Sequence, residues 1–284
     1  MKKLLLTGAN GFLGSYFYKQ YSIKYDIKTF SFVHNQFESL SLKNIDTVIH
    51  LGALVHQTQN INDEMYETIN VTQTLELAQK AKEDGVQHFI FMSTVKVYGE
   101  GSNVPYNDVS PCVPLDAYGK SKLKAEQKLQ SLGNETFHVS IIRTPIIYGY
   151  GVKANMQNLI KLVDKMSFLP FGGIDNKRSF VYIGNLCALI DAIICASKCG
   201  VFLAGDDEAL STSELISLIA NAKQKKIYLL KVPFFKVLLK WFKPSFYQRL
   251  FESLTVDIKQ TNQILNFKNP YSIREGIKKM VVKQ

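Results

Sequence analysis

Thr7-Gly8-Ala9-Asn10-Gly11-Phe12-Leu13-Gly14 decides the reading of this chain. It follows the apolar run Leu4-Leu5-Leu6, which reads as a buried strand, and precedes Ser15-Tyr16-Phe17, which reads as the start of a helix. A glycine-rich turn between a strand and a helix holds a pyrophosphate at the helix N-terminus. The three glycines serve a tight turn, close approach of a ligand to the backbone, and packing of helix on strand. Gly8, Asn10, Gly11, Phe12, Leu13 and Gly14 are therefore candidate contacts of a dinucleotide cofactor. The first strand begins close to Met1, so no signal peptide is expected ahead of it.

Outward from this turn, apolar strand-like runs alternate with helical stretches. Strands are expected over 3–7, 27–33, 47–51, 88–93 and 139–143, with helices over 12–24, 63–83 and 117–132. That alternation predicts an α/β fold, a Rossmann-type doubly wound parallel sheet. Ligands of such sheets sit outside the carboxyl ends of the strands. Thr7, Leu51, Ser93 and Arg143 all fall at such ends. After residue 150 the alternation loosens, and helices are expected over 153–166, 184–198, 211–223 and 234–251. The expected organisation is a dinucleotide-binding domain over 1–150, with 178–200 returning to it. A smaller mixed C-terminal substrate lobe takes 151–177 and 201–284.

Composition narrows the functional classes. At 284 residues, 46% hydrophobic and 20% charged, the chain is ordinary globular material. Cys112, Cys187, Cys195 and Cys199 form no CxxC pair and no histidine cluster, so reduced thiols are expected rather than a disulfide or metal framework. A formal charge of +10 suits an anionic partner. The lysines are scattered and no nucleic-acid motif accompanies them, so nucleic acid is not the expected partner.

Tyr118-Gly119-Lys120-Ser121-Lys122 opens the helix expected after Pro111 and Pro114. Tyr118 and Lys122 stand at i, i+4 and share a face. An ammonium beside a phenol favours the phenolate and lowers its pKa, giving a proton carrier usable near neutrality. Ser93 and Thr94 follow the apolar strand run 88–92, where a hydroxyl could bond a sugar or carbonyl oxygen. The structural alternative is a Ser/Thr pair that merely satisfies a strand end.

Taken together, these motifs resemble the extended short-chain dehydrogenases/reductases. Thr7–Gly14, Asp46–Ala53, Ser93–Gly99, Tyr118–Lys122 and Arg143–Gly149 occur in that family's order and span nearly the whole chain. The chain looks like the NAD-dependent epimerase/dehydratase branch, whose substrates are mostly nucleotide-sugars. The resemblance implies Thr94, Tyr118 and Lys122 as a catalytic triad. It implies Leu51, Ala53, Lys122, Pro145 and Ile147 as further cofactor contacts. Asn155 and Arg178 match positions that hold the substrate diphosphate, a task that suits N–H donors. Asn70 resembles a buried family asparagine with a structural role. A homodimer through two helices of the first domain follows from the resemblance alone.

Family dehydratases place Asp and Glu directly after the position of Thr94. Val95 and Lys96 stand there instead, which argues against loss of water. Reduction of a 4-keto sugar and epimerisation at C4 of a UDP-linked hexose stay open. The second strand runs into Ser31-Phe32-Val33-His34-Asn35 without the carboxylate that normally binds the adenosine ribose. His34 falls where an arginine would meet a 2′-phosphate, so the cofactor is NAD or NADP, with a slight tilt toward a reductase. Leu54-Val55-His56 and Ser93–Val97 resemble a bacterial subgroup of UDP-glucose 4-epimerase-like and UDP-N-acetylquinovosamine dehydrogenase (4-keto reductase) proteins of surface polysaccharide synthesis. That likeness implies substrate contacts from His56, Ser93 and Lys96.

Residues 233–251 are unusually apolar and basic, with Lys236, Lys240 and Lys243 on one helix face. Such a helix could lie in a membrane interface but is too interrupted to span one. The preferred expectation is a helix whose apolar face is buried in the second lobe. Localisation is expected to be cytoplasmic, with contact at the inner face of the membrane as the alternative. That alternative would suit an epimerase of a lipid-diphosphate-linked sugar. A non-catalytic dinucleotide sensor on the same fold is the competing class.

Overall fold

Leu4, Leu5 and Leu6 are all buried, yet they serve two cores. Leu4 and Leu6 pack with Ile49, Ile90, Met92 and Ile142, while Leu5 packs with Val48, Phe89, Phe91 and Ile141. Successive side chains of a strand point to opposite faces, so this parity describes a sheet covered on both sides. The computed structural model describes residues 1–55 and 62–282.

The first two thirds of the chain run β1 (Lys3–Thr7), α1 (Phe12–Tyr21), β2 (Asp26–Phe30), β3 (Thr47–His50), α2 (Asp63–Tyr66), a π-helical turn (Glu67–Thr72), α3 (Gln73–Glu83), β4 (His88–Thr94), α4 (Ala117–Leu132) and β5 (His138–Thr144). The remainder runs β6 (Ile146–Tyr148), α5 (Ala154–Lys165), β7 (Phe168–Leu169), β8 (Phe180–Tyr182), α6 (Ile183–Ala196), β9 (Gly200–Leu203), α7 (Thr212–Ala222), β10 (Tyr228–Leu229), α8 (Phe235–Phe242), α9 (Pro244–Phe251), α10 (Lys259–Leu265) and α11 (Ile273–Val281).

Among the described residues, six strands form a parallel sheet in the order β2-β1-β3-β4-β5-β9. The edge strand β9 begins where the stretch 178–200 was expected to end, so the return to this sheet reaches Leu203. Helices α1 and α6 cover one face through Leu13, Phe17 and Ile190, and α3 with α4 covers the other through Leu77 and Leu129. The chain leaves β1 toward β2 on one side and resumes at β3 on the other, which makes the β1/β3 edge the switch point where such sheets bind ligands.

Register aligns the carboxyl ends there. Thr7 pairs with Phe30 and His50, and Thr94 pairs with Thr144. Two small sheets lie apart from the large one: β6 pairs β8, and β7 pairs β10.

The single helix expected over 234–251 is two. Lys243 sits at φ −146, ψ 68, outside helical space, and Pro244 starts α9 at its first position. Proline disfavours a helical residue before it, and its missing N–H is harmless at a helix start.

Candidate active site

Gly8 has φ +71, and a Cβ there would lie 2.8 Å from Gly52 N. A Cβ at Gly14 would lie 2.2 Å from Gly8 O. The turn after β1 is therefore pressed between α1 and the chain leaving β3, and side chains at these two positions do not fit. Gly11 is the N-cap of α1 and supplies no side-chain cap. The orphan N–H groups of the first helical turn face outward, a ready site for an anion.

This turn lines a cavity of about 720 Å³. Gly8, Asn10, Gly11, Phe12, Leu13 and Gly14 line it, as do His34, Leu51, Ala53, Pro145 and Ile147. Ser93, Thr94, Tyr118 and Lys122 line it as well. The cavity thus reaches from the loop after β2 to the start of α4. Its volume is that of a site for a ligand well beyond a single sugar. Thr29, Ser31, Asn35, Gly52, Val55 and Thr144 add to the wall without having been singled out in the sequence. They are neighbours, in register or loop, of residues that were.

The placement of Tyr118 follows from local packing. Asp116 caps α4, its Oδ1 accepting from Gly119 N at 2.7 Å. A Cβ at Gly119 would meet Lys96 O at 2.8 Å. The first turn of α4 therefore rests directly on the turn after β4, which brings Tyr118 and Thr94 into the same cavity.

Electrostatics at the pair differ from the sequence-based expectation. Burial, followed by the Asp116 charge, raises the Tyr118 phenol above its ordinary value, and the bond to Thr94 only partly offsets this. Lys122 does not lower it. Burial pushes the Lys122 ammonium down to about 7, with Glu126 pulling the other way. Its Nζ lies 4.0 Å from the centre of the Phe91 ring. The reason is desolvation: both groups sit where the charged form lacks water.

A polar chain supports the site. Thr74 Oγ1 donates to Asn70 O at 2.8 Å, so the 3.0 Å contact with His50 Nε2 makes that nitrogen the donor. Nδ1 then accepts from Thr7 Oγ1 at 2.7 Å, and Thr7 accepts from Gly52 N at 3.2 Å. Burial, then the charge of Lys122, lowers the His50 imidazole to about 3, consistent with this neutral tautomer. Asn70 grips both backbone groups of Leu54 and donates to Ser121 Oγ at 3.0 Å, while Ser121 donates to Tyr118 O at 2.8 Å. Asn70 lies on the π-helical turn, whose extra residue aims it at α4.

The remaining candidates have other partners. The Ser93 hydroxyl donates to Glu126, which also takes a 2.7 Å bond from Arg143 NH2 inside the protein. Ser93 thus lines the cavity with its hydroxyl proton given to that buried pair. Lys96 is outside the cavity lining and ion-paired with Asp116 and Glu100. Val95 packs with Val97, Tyr98 and Leu254. Asn155 is exposed in the first turn of α5. Arg178 donates to Gln248 O at 3.4 Å and Glu252 O at 3.1 Å, holding the C-terminal carbonyls of α9. The expected diphosphate clamp of Asn155 and Arg178 is thus not gathered at the cavity. His56 lies outside the described residues. Among the described residues no His/Cys/Asp/Glu group is arranged to hold a metal ion.

Comparison with known proteins agrees with this geometry. The model of the NAD dependent epimerase/dehydratase family matches residues 4–202. A UDP-glucose 4-epimerase of Vibrio cholerae is 38% identical over 307 aligned positions, covering 98% of this chain and 94% of that one. An N-acetyl-alpha-D-glucosaminyl-diphospho-ditrans,octacis-undecaprenol 4-epimerase of Escherichia coli O157:H7 is 28% identical, over 81% of this chain and 75% of that one. The crystal structure of UDP-glucuronic acid 4-epimerase from Bacillus cereus in complex with NAD superposes with a TM-score of 0.78 at 22% identity, covering 98% and 97% of the two chains.

Proposed function

This chain belongs to the NAD-dependent epimerase/dehydratase family, and on that footing we propose that it is a 4-epimerase of a UDP-linked hexose that uses a nicotinamide dinucleotide. The observation that carries the reading is a single cavity holding Thr94, Tyr118 and Lys122 together with the Gly8–Gly14 turn. The substitution-intolerant glycines and the uncapped N-terminus of α1 fit a cofactor pyrophosphate. Ser31, His34 and Asn35 would meet the adenosine end, and Pro145 with Ile147 the nicotinamide end. When bound, the dinucleotide supplies an acceptor that takes hydride from the sugar C4 and gives it back.

The protein's own groups handle the proton. Tyr118 takes it from the C4 hydroxyl and returns it to the C4 oxygen once the carbon has been inverted. Thr94, beside Tyr118 in the cavity, orients that oxygen. Lys122, at the same end of the cavity, holds the cofactor ribose. Water loss is disfavoured because the two positions after Thr94 carry no acid: Val95 is packed inward and Lys96 is tied to Asp116.

Epimerisation is favoured over plain 4-keto reduction by the 38% identical relative, which carries a 4-epimerase activity in its name. A second reading keeps the same C4 chemistry but places the sugar on a lipid diphosphate. The relative from E. coli and the exposed apolar face of α8 favour it.

The test is incubation of purified protein with UDP-glucose, UDP-galactose, their N-acetyl forms and a UDP-4-keto-6-deoxy sugar. Epimer formation without net cofactor change is expected. NADPH consumption on the keto sugar with no epimer formed would make the protein a reductase.

A further inference from the structure

The helix α8 faces the wrong way for an ordinary surface helix. Phe234, Val237, Leu238, Trp241 and Phe242 lie along one side of it, and Trp241, Phe234 and Phe242 are 83%, 78% and 78% exposed. Phe235 and Leu239 are the half-buried, inward residues. Phe235 packs edge-on to Phe171 and Phe251. The lysines sit on the flank toward α9: Lys236 lies 5.9 Å from the Phe251 ring centre and Lys240 5.8 Å from that of Tyr247. Their aliphatic stems thus cover aromatic surface that apolar residues would usually cover. The expectation that this segment buries its apolar face in the second lobe holds for Phe235, Leu250 and Phe251 but not for the outer face of α8.

An outward apolar band with a basic flank is the pattern of a helix lying in a bilayer interface. Tryptophan and phenylalanine at the apolar edge suit the headgroup boundary. Lys236, Lys240 and Lys243 complement anionic lipid, and the formal charge of +10 adds to the attraction. We propose that α8 docks the protein on an anionic membrane surface, with α9 as its base. Arg178 fastens that base to the body of the protein through Gln248 O and Glu252 O. Among the described residues no helix is long and apolar enough to cross a membrane, so the attachment is peripheral. It does not depend on which sugar is turned over, because it uses none of the residues lining the cavity.

The single tryptophan of the chain, Trp241, lies in the middle of the surface and reports on it directly. The full-length protein is mixed with vesicles of phosphatidylcholine containing one third phosphatidylglycerol, and with phosphatidylcholine alone. A blue shift of Trp241 emission and co-sedimentation with the anionic vesicles are expected, both weakened by added salt. A double variant, Val237→Glu with Leu238→Glu, should bind these vesicles roughly ten-fold less or weaker. Its affinity for NAD and its turnover of a soluble UDP-sugar should be unchanged. No shift and no sedimentation with anionic vesicles would overturn the proposal. So would a Trp241 already shielded from a soluble quencher without vesicles in a dimer that the double variant dissolves, since the face would then cover a second copy.

Discussion

Lys122 Nζ stands 4.0 Å from the centre of the Phe91 ring, so the ammonium next to Tyr118 is held over an aromatic face on the floor of the cavity. The ring's negative face partly compensates for lost water, yet burial still takes the group down to about 7. The folded protein therefore releases a proton that the unfolded chain keeps up to about 10.5.

Between about pH 7 and 10.5 the unfolded state binds more protons at this site, so its contribution to stability rises with pH. Below about pH 7 the cost of the buried charge is fully present. Lys122→Met should stabilise the cofactor-free protein at pH 6 by about 1–4 kcal/mol, the range seen when buried charges give way to apolar side chains. Thermal melts from pH 6 to 10 check this: the gain should shrink toward the alkaline end, and a gain that grows with pH would contradict it.

Tyr118→Phe keeps the ring and its contact with Tyr66 but removes the proton carrier. Turnover should fall roughly 10²–10⁴-fold, the usual range for a lost general acid–base group, with cofactor affinity nearly unchanged. Steady-state rates and an NAD titration separate the two. Unchanged biological activity would favour a sensor over an enzyme.

Gly8→Ala imposes a side chain at φ +71 and brings it to 2.8 Å from Gly52 N. The backbone of Leu51 and Gly52 that it meets leaves no room to give. A loss of about 1–3 kcal/mol in stability is expected from the conformation alone, together with loss of cofactor binding. Equilibrium unfolding and an NAD titration of the same variant test both.

Glu126→Gln leaves Arg143 inside the protein without its counter-charge and weakens the bond that Ser93 makes. A cost of about 3–5 kcal/mol is expected, as for other broken buried pairs. Chemical denaturation reads it; a change within a few tenths would mean that Arg143 reaches solvent.

The sheet was legible because Leu4–Leu6 and the runs ending at His50, Thr94 and Thr144 are apolar enough to be buried on both faces. The glycine turn and the Tyr118/Lys122 pair were legible because their spacing is local. Residues brought in by long-range packing were harder. Ser93 reads like a ligand contact until Glu126 and Arg143 meet it from 33 and 50 positions later. Arg178 reads like a phosphate clamp until the carbonyls at the end of α9 arrive 70 and 74 residues downstream. The lowered charge of Lys122 was missed for a similar reason: spacing on a helix says who is near, not how much water is left. The strand β9 was missed because Val201-Phe202-Leu203 is too short to announce itself.

The ribose end yields its own expectation. No acidic residue is among the described residues lining the cavity, and Ser31, His34 and Asn35 stand there instead. With no carboxylate to repel a 2′-phosphate, NADP should bind within roughly ten-fold of NAD, a difference under about 1.4 kcal/mol. Calorimetric titration with both cofactors decides it, and a preference of a hundred-fold for NAD would contradict it.

The central claim is that one carbon loses and regains its own hydrogen while Tyr118 moves the proton. UDP-galactose carrying deuterium at C4 tests it most directly, with the product examined by NMR and mass spectrometry. UDP-glucose that keeps the deuterium at C4, formed by the wild type and not by Tyr118→Phe, is the predicted result. Deuterium lost to solvent, or no epimer from any UDP-hexose tried, would contradict it.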